Sequence, residues 1–114
     1  MAEIDALVAE RARSAVRALS RRAHVVDAYL FGSHVCGDPD EWSDIDIAVF
    51  VDGLEHWDLF HRVRTTSAVQ KEVGDDIELH CYPAESLENP ERASFITYVL
   101  RHGVQIPVEG AIPA

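Results

Sequence analysis

Two aspartates separated by one residue, Asp44-Ile45-Asp46, open a run of alternating residues that continues to Val51. On a strand, residues two apart point to the same side, which sets the carboxylates of Asp44 and Asp46 on one face, ~6.5–7 Å apart along the chain. Two like charges held that close are unfavourable without a cation between them. Hard cations such as Mg²⁺ take oxygen ligands, commonly one or two carboxylates completed by substrate phosphates. The pair therefore reads either as a divalent-metal site or as two solvated surface acids. Gly32-Ser33 stands upstream, ten residues before Asp44, at the end of the apolar run 25–31. Read plainly, it is a strand-to-helix turn in which Ser33 caps the helix. Read functionally, the same turn offers backbone N–H groups and a hydroxyl to a phosphate. The conjunction carries more than either part. Polyphosphate chemistry needs a cradle for the phosphates and metal ions for the charge that develops in the transition state.

Two-metal phosphoryl chemistry also calls for a third carboxylate near the ion that activates the nucleophile. The segment Gly74-Asp75-Asp76-Ile77-Glu78-Leu79-His80 holds the candidates. Over a strand at 77–81, Ile77, Leu79 and Cys81 face a core and leave Glu78 and His80 on the opposite side. Glu78 is the only acid inside that strand and is the residue selected. Asp75 and Asp76 fall in the preceding turn as capping or solvated groups, although a shifted register would bring Asp76 forward.

The elements that must position these residues follow from periodicity. Ile4, Leu7, Val8, Ala15 and Leu19 fall near helical spacing and predict a helix over 3–22. Arg13, Arg17 and Arg21 share one face of it, read as solvated. β-branched and aromatic residues predict strands at 25–31 and 44–51, with acid-rich turn chemistry at 38–41 between them. A helix is expected over 54–73, with Leu59, Val63, Thr66 and Val69/Gln70 along one side and Gly74 as its cap. The strand at 77–81 is expected to stop at Tyr82-Pro83. A last helix over 91–102 ends at Gly103, and 104–108 forms a short edge strand. The order predicts an α/β (α+β) fold, a small mixed sheet backed by helices, with one apolar face and one polar face carrying the acids.

With 114 residues, no repeat and no Gly/Ser linker, the chain is expected to form one domain over 1–114. Its 47% hydrophobic and 26% charged residues are those of an ordinary globular protein. No stretch approaches a membrane span, the start lacks a signal-peptide pattern, and Cys36 and Cys81 are too few for a disulfide framework. Cytoplasmic residence is the expectation. The net charge of −10 excludes a large nucleic-acid footprint, which would rest on Lys and Arg against phosphates. The charge is also uneven: residues 1–24 carry five Arg and three acids, and 25–114 carry five basic residues and 17 acids.

Gly32-Ser33, ten residues, then Asp44-Ile45-Asp46 resembles the G-S-x10-D-x-D signature of the minimal nucleotidyltransferases of the DNA polymerase β superfamily. The resemblance extends over most of the chain, from the first strand to the helix ending at Gly103. It implies a palm-like mixed sheet with its carboxylates on an open face. It implies that Gly32 and Ser33 hold nucleotide phosphates, that Asp44 and Asp46 bind two Mg²⁺ ions with ATP, and that Glu78 stands at the third carboxylate position. Many members have Asp there, whereas aminoglycoside nucleotidyltransferases use Glu. Stand-alone members resemble antitoxins that transfer AMP from ATP to a tyrosine of a HEPN-domain toxin encoded by the adjacent gene. A chain with room for the catalytic unit alone, and an acidic surface, fits a basic protein acceptor.

Three other readings compete. His34, Cys36, His80 and Cys81 could supply a transition-metal site, but their spacing does not match zinc patterns. His56, His61, Trp42 and Trp57 read as surface or packing residues. A non-catalytic module that masks or assembles with a HEPN-type partner gains nothing from clustered unpaired carboxylates. A free-standing enzyme acting on a small molecule or nucleic-acid end is disfavoured by the missing acceptor domain and the acidic surface.

Overall fold

The computed structural model describes residues 5–37, 44–88, 90–91 and 94–108. Helix α1 (Ala6–Ser20) opens at Asp5, whose carboxylate accepts the N–H groups of Leu7 and Val8. Strand β1 (Val25–Phe31) leads through Gly32 into the one-turn helix α2 (Ser33–Cys36). Strand β2 (Ile45–Val51), helix α3 (Leu59–Val73), strand β3 (Ile77–Pro83), helix α4 (Phe95–His102) and the short strand β4 (Val104–Gln105) follow. The expected acidic turn at 38–41 and Trp42 lie outside the described residues, as do residues 3 and 4 of the first expected helix.

The strands form one mixed sheet in the order β3-β2-β1-β4. β1 runs antiparallel to β2 and β4, while β2 and β3 are parallel. Ala12, Ala15, Val16 and Leu19 of α1 pack with Val69 of α3 onto Ala28, Leu30, Ile45, Ile47, Val49, Val51 and Ile77. The opposite face buries a smaller cluster, Phe31, Ala48, Phe50 and Val99, with Tyr29, Tyr82, Leu87 and Ile96 against it.

The expectation of one apolar and one polar sheet face therefore holds only over part of the sheet. α4 and the 3₁₀ turn Ala84–Leu87 cover Ala48 and Phe50, and the acids occupy the uncovered end. The helix expected over 54–73 is divided. A 3₁₀ turn, Leu54–His56, precedes α3, which starts where Asp58 Oδ1 accepts the N–H of His61 at 2.7 Å. Leu54 and Trp57 fill the core ahead of the helix. Its inward residues are Thr65 and Val69, leaving Leu59 and Val63 exposed.

β3 runs through Tyr82 and Pro83 rather than stopping before them. Proline is tolerated because β3 is an edge strand and needs no donor on its outer side. The last helix is shorter than expected, because Ser94 caps it by accepting the N–H of Thr97. Arg21, read as solvated, pairs together with Arg22 to Glu72 of α3. Among the described residues no helix is long and apolar enough to cross a membrane.

Candidate active site

β2 is the central strand between β1 and β3, and every one of its residues except Asp46 is buried. Asp46 keeps 23% of its side chain exposed, because it faces the end of the sheet that α4 leaves open. The parallel register sets Asp46 beside Glu78 and Ala48 beside His80, while the antiparallel register sets Asp46 beside Phe31. Glu78 and His80, two apart on β3, share the face of Asp46. One ligand atom from each of Asp46, Glu78 and His80 lies within 4.8 Å of the others. His80 Nε2 stands 3.2 Å from Asp46 Oδ1.

The turn after β1 closes this cluster from the other side. Gly32 has φ +87°, and a Cβ added there would meet Asp46 Oδ2 at 2.5 Å. Glycine is required both for the backbone conformation and for the approach of the carboxylate. Gly32 takes the N-cap position of α2 and Ser33 is the first helical residue, so Ser33 does not cap the turn as expected. Its hydroxyl is not committed to capping. Val35 N–H donates to Gly32 O at 3.0 Å and Gly37 N–H to Ser33 O at 3.1 Å, which fixes the turn.

Of the residues singled out in the sequence, Gly32, Asp46 and Glu78 are brought together. Ser33 adjoins them in the chain. Asp44 stands just ahead of β2, exposed and outside the converging group. Asp76 is withdrawn from contention by another contact. Both its carboxylate oxygens accept from the Arg11 guanidinium, which also donates to Val73 O at 3.1 Å. Those hydrogen bonds from Arg11 hold the Asp76 carboxyl below its ordinary range. The backbone of Asp76 is used as well, its carbonyl accepting Ile45 N–H at 2.8 Å and so locking the starts of β2 and β3 together.

His80 is the residue whose place beside Asp46 sequence reasoning did not supply. The signal was its two-residue spacing from Glu78, on the same strand face. His80 and Cys81 point to opposite faces: Cys81 packs on the larger core, and burial pushes its thiol up. That separation disposes of a joint zinc site through those two residues. The His80 and Phe31 rings make a T-shaped contact at a centroid distance of 5.1 Å, and Phe31 meets Phe95 at 5.2 Å. An aromatic wall thus flanks the carboxylates. Trp57 packs on the core and stacks on His61 at 4.2 Å, so neither lies at this site.

A mixed sheet backed by two helices, with carboxylates from two parallel strands converging beside a glycine turn, defines the architecture of a nucleotidyltransferase. The model of the family "Polymerase beta, Nucleotidyltransferase" matches residues 14–106, and the chain belongs to that family. Its class of activity is nucleotidyl transfer, with a nucleotide as substrate. No curated protein matches the chain. Among solved structures it is similar to a Sulfolobus solfataricus protein described as a candidate nucleotidyltransferase. The two share 18% identity, with 95% of this chain and 88% of that one covered at a TM-score of 0.63. At that identity the likeness speaks for the fold alone.

Proposed function

We propose that the protein transfers a nucleoside monophosphate, AMP from ATP, to a protein hydroxyl, namely a tyrosine of a HEPN-type toxin, and so acts as its antitoxin. The observation that carries the reading is the convergence of Asp46 and Glu78 from adjacent parallel strands, beside the Gly32 turn, in a chain of this family. The donor set fits a divalent cation: carboxylate oxygens at an open, part-exposed end of the sheet, against a turn that a Cβ would fill. Asp44, Asp46 and Glu78 are the residues that would hold two Mg²⁺ ions. Bound there, the ions supply neutralisation of the triphosphate and a lowered pKa for the acceptor hydroxyl.

In the proposed reaction the acceptor oxygen bonds to the α-phosphorus of ATP. The bond from that phosphorus to the bridging α–β oxygen breaks, and pyrophosphate leaves with the electron pair. The hydroxyl proton passes to water at the open end of the sheet. Gly32 and Ser33 orient the phosphates through backbone N–H groups and the Ser33 hydroxyl. An open, part-exposed end of a sheet suits an acceptor presented by a second protein better than a small molecule that needs a pocket of its own.

The test is incubation with labelled ATP, Mg²⁺ and the HEPN-domain protein encoded by the adjacent gene, read as adduct mass. The expected product is the toxin plus one nucleoside monophosphate on tyrosine, absent with Asp46→Asn. Tight binding of the two proteins without an adduct would replace this reading by a masking module.

A further inference from the structure

We propose that His80 is a nitrogen ligand of the cation held between Asp46 and Glu78, and that the centre so formed prefers Mn²⁺ to Mg²⁺. The inference rests on the cation-dependent transfer proposed above and adds a ligand that the carboxylate signature does not contain. Its basis is placement. His80 reaches Asp46 because Ala48, one pleat along β2, is its register partner and has too small a side chain to stand between them. The 3.2 Å from His80 Nε2 to Asp46 Oδ1 is close to the ~3.0 Å that separates neighbouring ligand atoms in an octahedral centre with bonds of ~2.1 Å. Glu78 supplies the third ligand atom from within the same 4.8 Å group. The imidazole is braced for the task by the Phe31 ring on one side and by a strand register that β2 fixes on the other.

Ligand chemistry then sets the preference. Mg²⁺ and Mn²⁺ both accept carboxylates, but imidazole nitrogen suits first-row transition ions and gives little to Mg²⁺. Two carboxylates with one imidazole therefore bias the site more strongly towards Mn²⁺ than carboxylates alone would. The side chains of His80 and Asp46 are 32% and 23% exposed, which leaves the remaining coordination positions open to water and nucleotide phosphates.

Mn²⁺ titrated into the full-length protein with a non-hydrolysable ATP analogue tests this by electron paramagnetic resonance. Loss of the free-ion signal reads occupancy, and pulsed spectra read nitrogen coupling at the bound ion. The expected result is imidazole-nitrogen coupling in the wild type, absent in His80→Gln, with affinity for Mn²⁺ about tenfold weaker in that variant. Mg²⁺ should displace Mn²⁺ from the wild type only at more than tenfold excess, and from His80→Gln at much less. A thermal melt confirms that the variant is folded, and Asp46→Asn controls for loss of the ion altogether. Bound Mn²⁺ without nitrogen coupling, or coupling that survives His80→Gln, overturns the His80 assignment and leaves the transfer reading intact. Nitrogen coupling together with no adduct on any protein acceptor leaves the assignment standing and sinks the transfer reading. No Mn²⁺ bound even with the analogue sinks both.

Discussion

Gly32 touches the proposed chemistry through what it lacks. Replacing it with Ala adds a Cβ 2.5 Å from Asp46 Oδ2 at a φ of +87°, so the carboxylate or the turn must move. The backbone strain alone costs about 1–3 kcal/mol. Gly53 offers a control, since its φ is +80° but nothing lies within 4 Å of an added Cβ. Gly32→Ala is therefore expected to weaken cation-dependent nucleotide binding at least tenfold, with Gly53→Ala losing stability alone. Calorimetric titration of both variants decides the matter, and equal losses of binding would show that the approach to Asp46 is immaterial. The same titration should rank the two aspartates. Asp46→Asn is expected to cost more affinity than Asp44→Asn, because only Asp46 belongs to the converging group.

Among the elements, the starts of β2 and β3 are tied to α1 by one ion pair. Arg11 and Asp76 are 65 residues apart in sequence and bond through two hydrogen bonds, and Asp76 O holds Ile45 N–H. The lowered carboxyl pKa of Asp76 fixes the sign of its pH dependence. Its stabilisation is fully present above the unfolded value of ~3.9 and is lost as pH falls through the lower folded value. Both side chains are about a third or more exposed, so solvent screening limits the contribution to about 1 kcal/mol. Urea unfolding should separate wild type from Asp76→Asn by that amount at pH 7 and show a gap that closes as pH falls below the unfolded value of ~3.9. A gap that widens in acid would contradict the assignment. A cap gives a second measure at this scale: Ser94→Ala should cost about 1 kcal/mol, read by the same unfolding, through loss of the bond to Thr97 N–H.

These elements also mark how far the sequence could be read. Alternation alone placed Ile77, Leu79 and Cys81 against Glu78 and His80, and the structure keeps that division. Period-two patterns survive because each strand has one neighbour layer per face. α3 was harder. Its apolar residues Leu59 and Val63 satisfy the helical spacing, yet they are exposed, since Leu54 and Trp57 in the preceding turn already fill that part of the core. In the sequence Asp76 reads as a solvated turn residue, because its partner Arg11 lies in α1, a distance no local pattern encodes. His80 was visible on the correct face, but its approach to Asp46 depends on the parallel register of β2 and β3.

For the molecule as a whole, three of the five arginines near the N-terminus are spent on ion pairs with distant acids. Arg11 binds Asp76, and Arg21 and Arg22 bind Glu72. The net charge of −10 thus leaves an acidic excess over the rest of the surface. Self-repulsion of that excess opposes the compact state. Raising NaCl from ~10 mM to ~200 mM shortens the reach of the repulsion and should raise the melting temperature. Differential scanning calorimetry across that range checks it. A fall in melting temperature would mean that the exposed ion pairs outweigh the repulsion.

Strand β2 is paired on both sides, whereas β3 is paired on one. The three converging side chains therefore ride on unequal supports: Asp46 on the most enclosed strand of the sheet, Glu78 and His80 on a border that local fluctuations open first. Whatever bridges them fastens that border to the interior. Substrate loading should consequently register as slower amide exchange along 77–82, while 45–51, already protected, changes little. A chain built this way turns occupancy of its site into rigidity of one margin, and a protein docking at that margin could sense whether the site is filled.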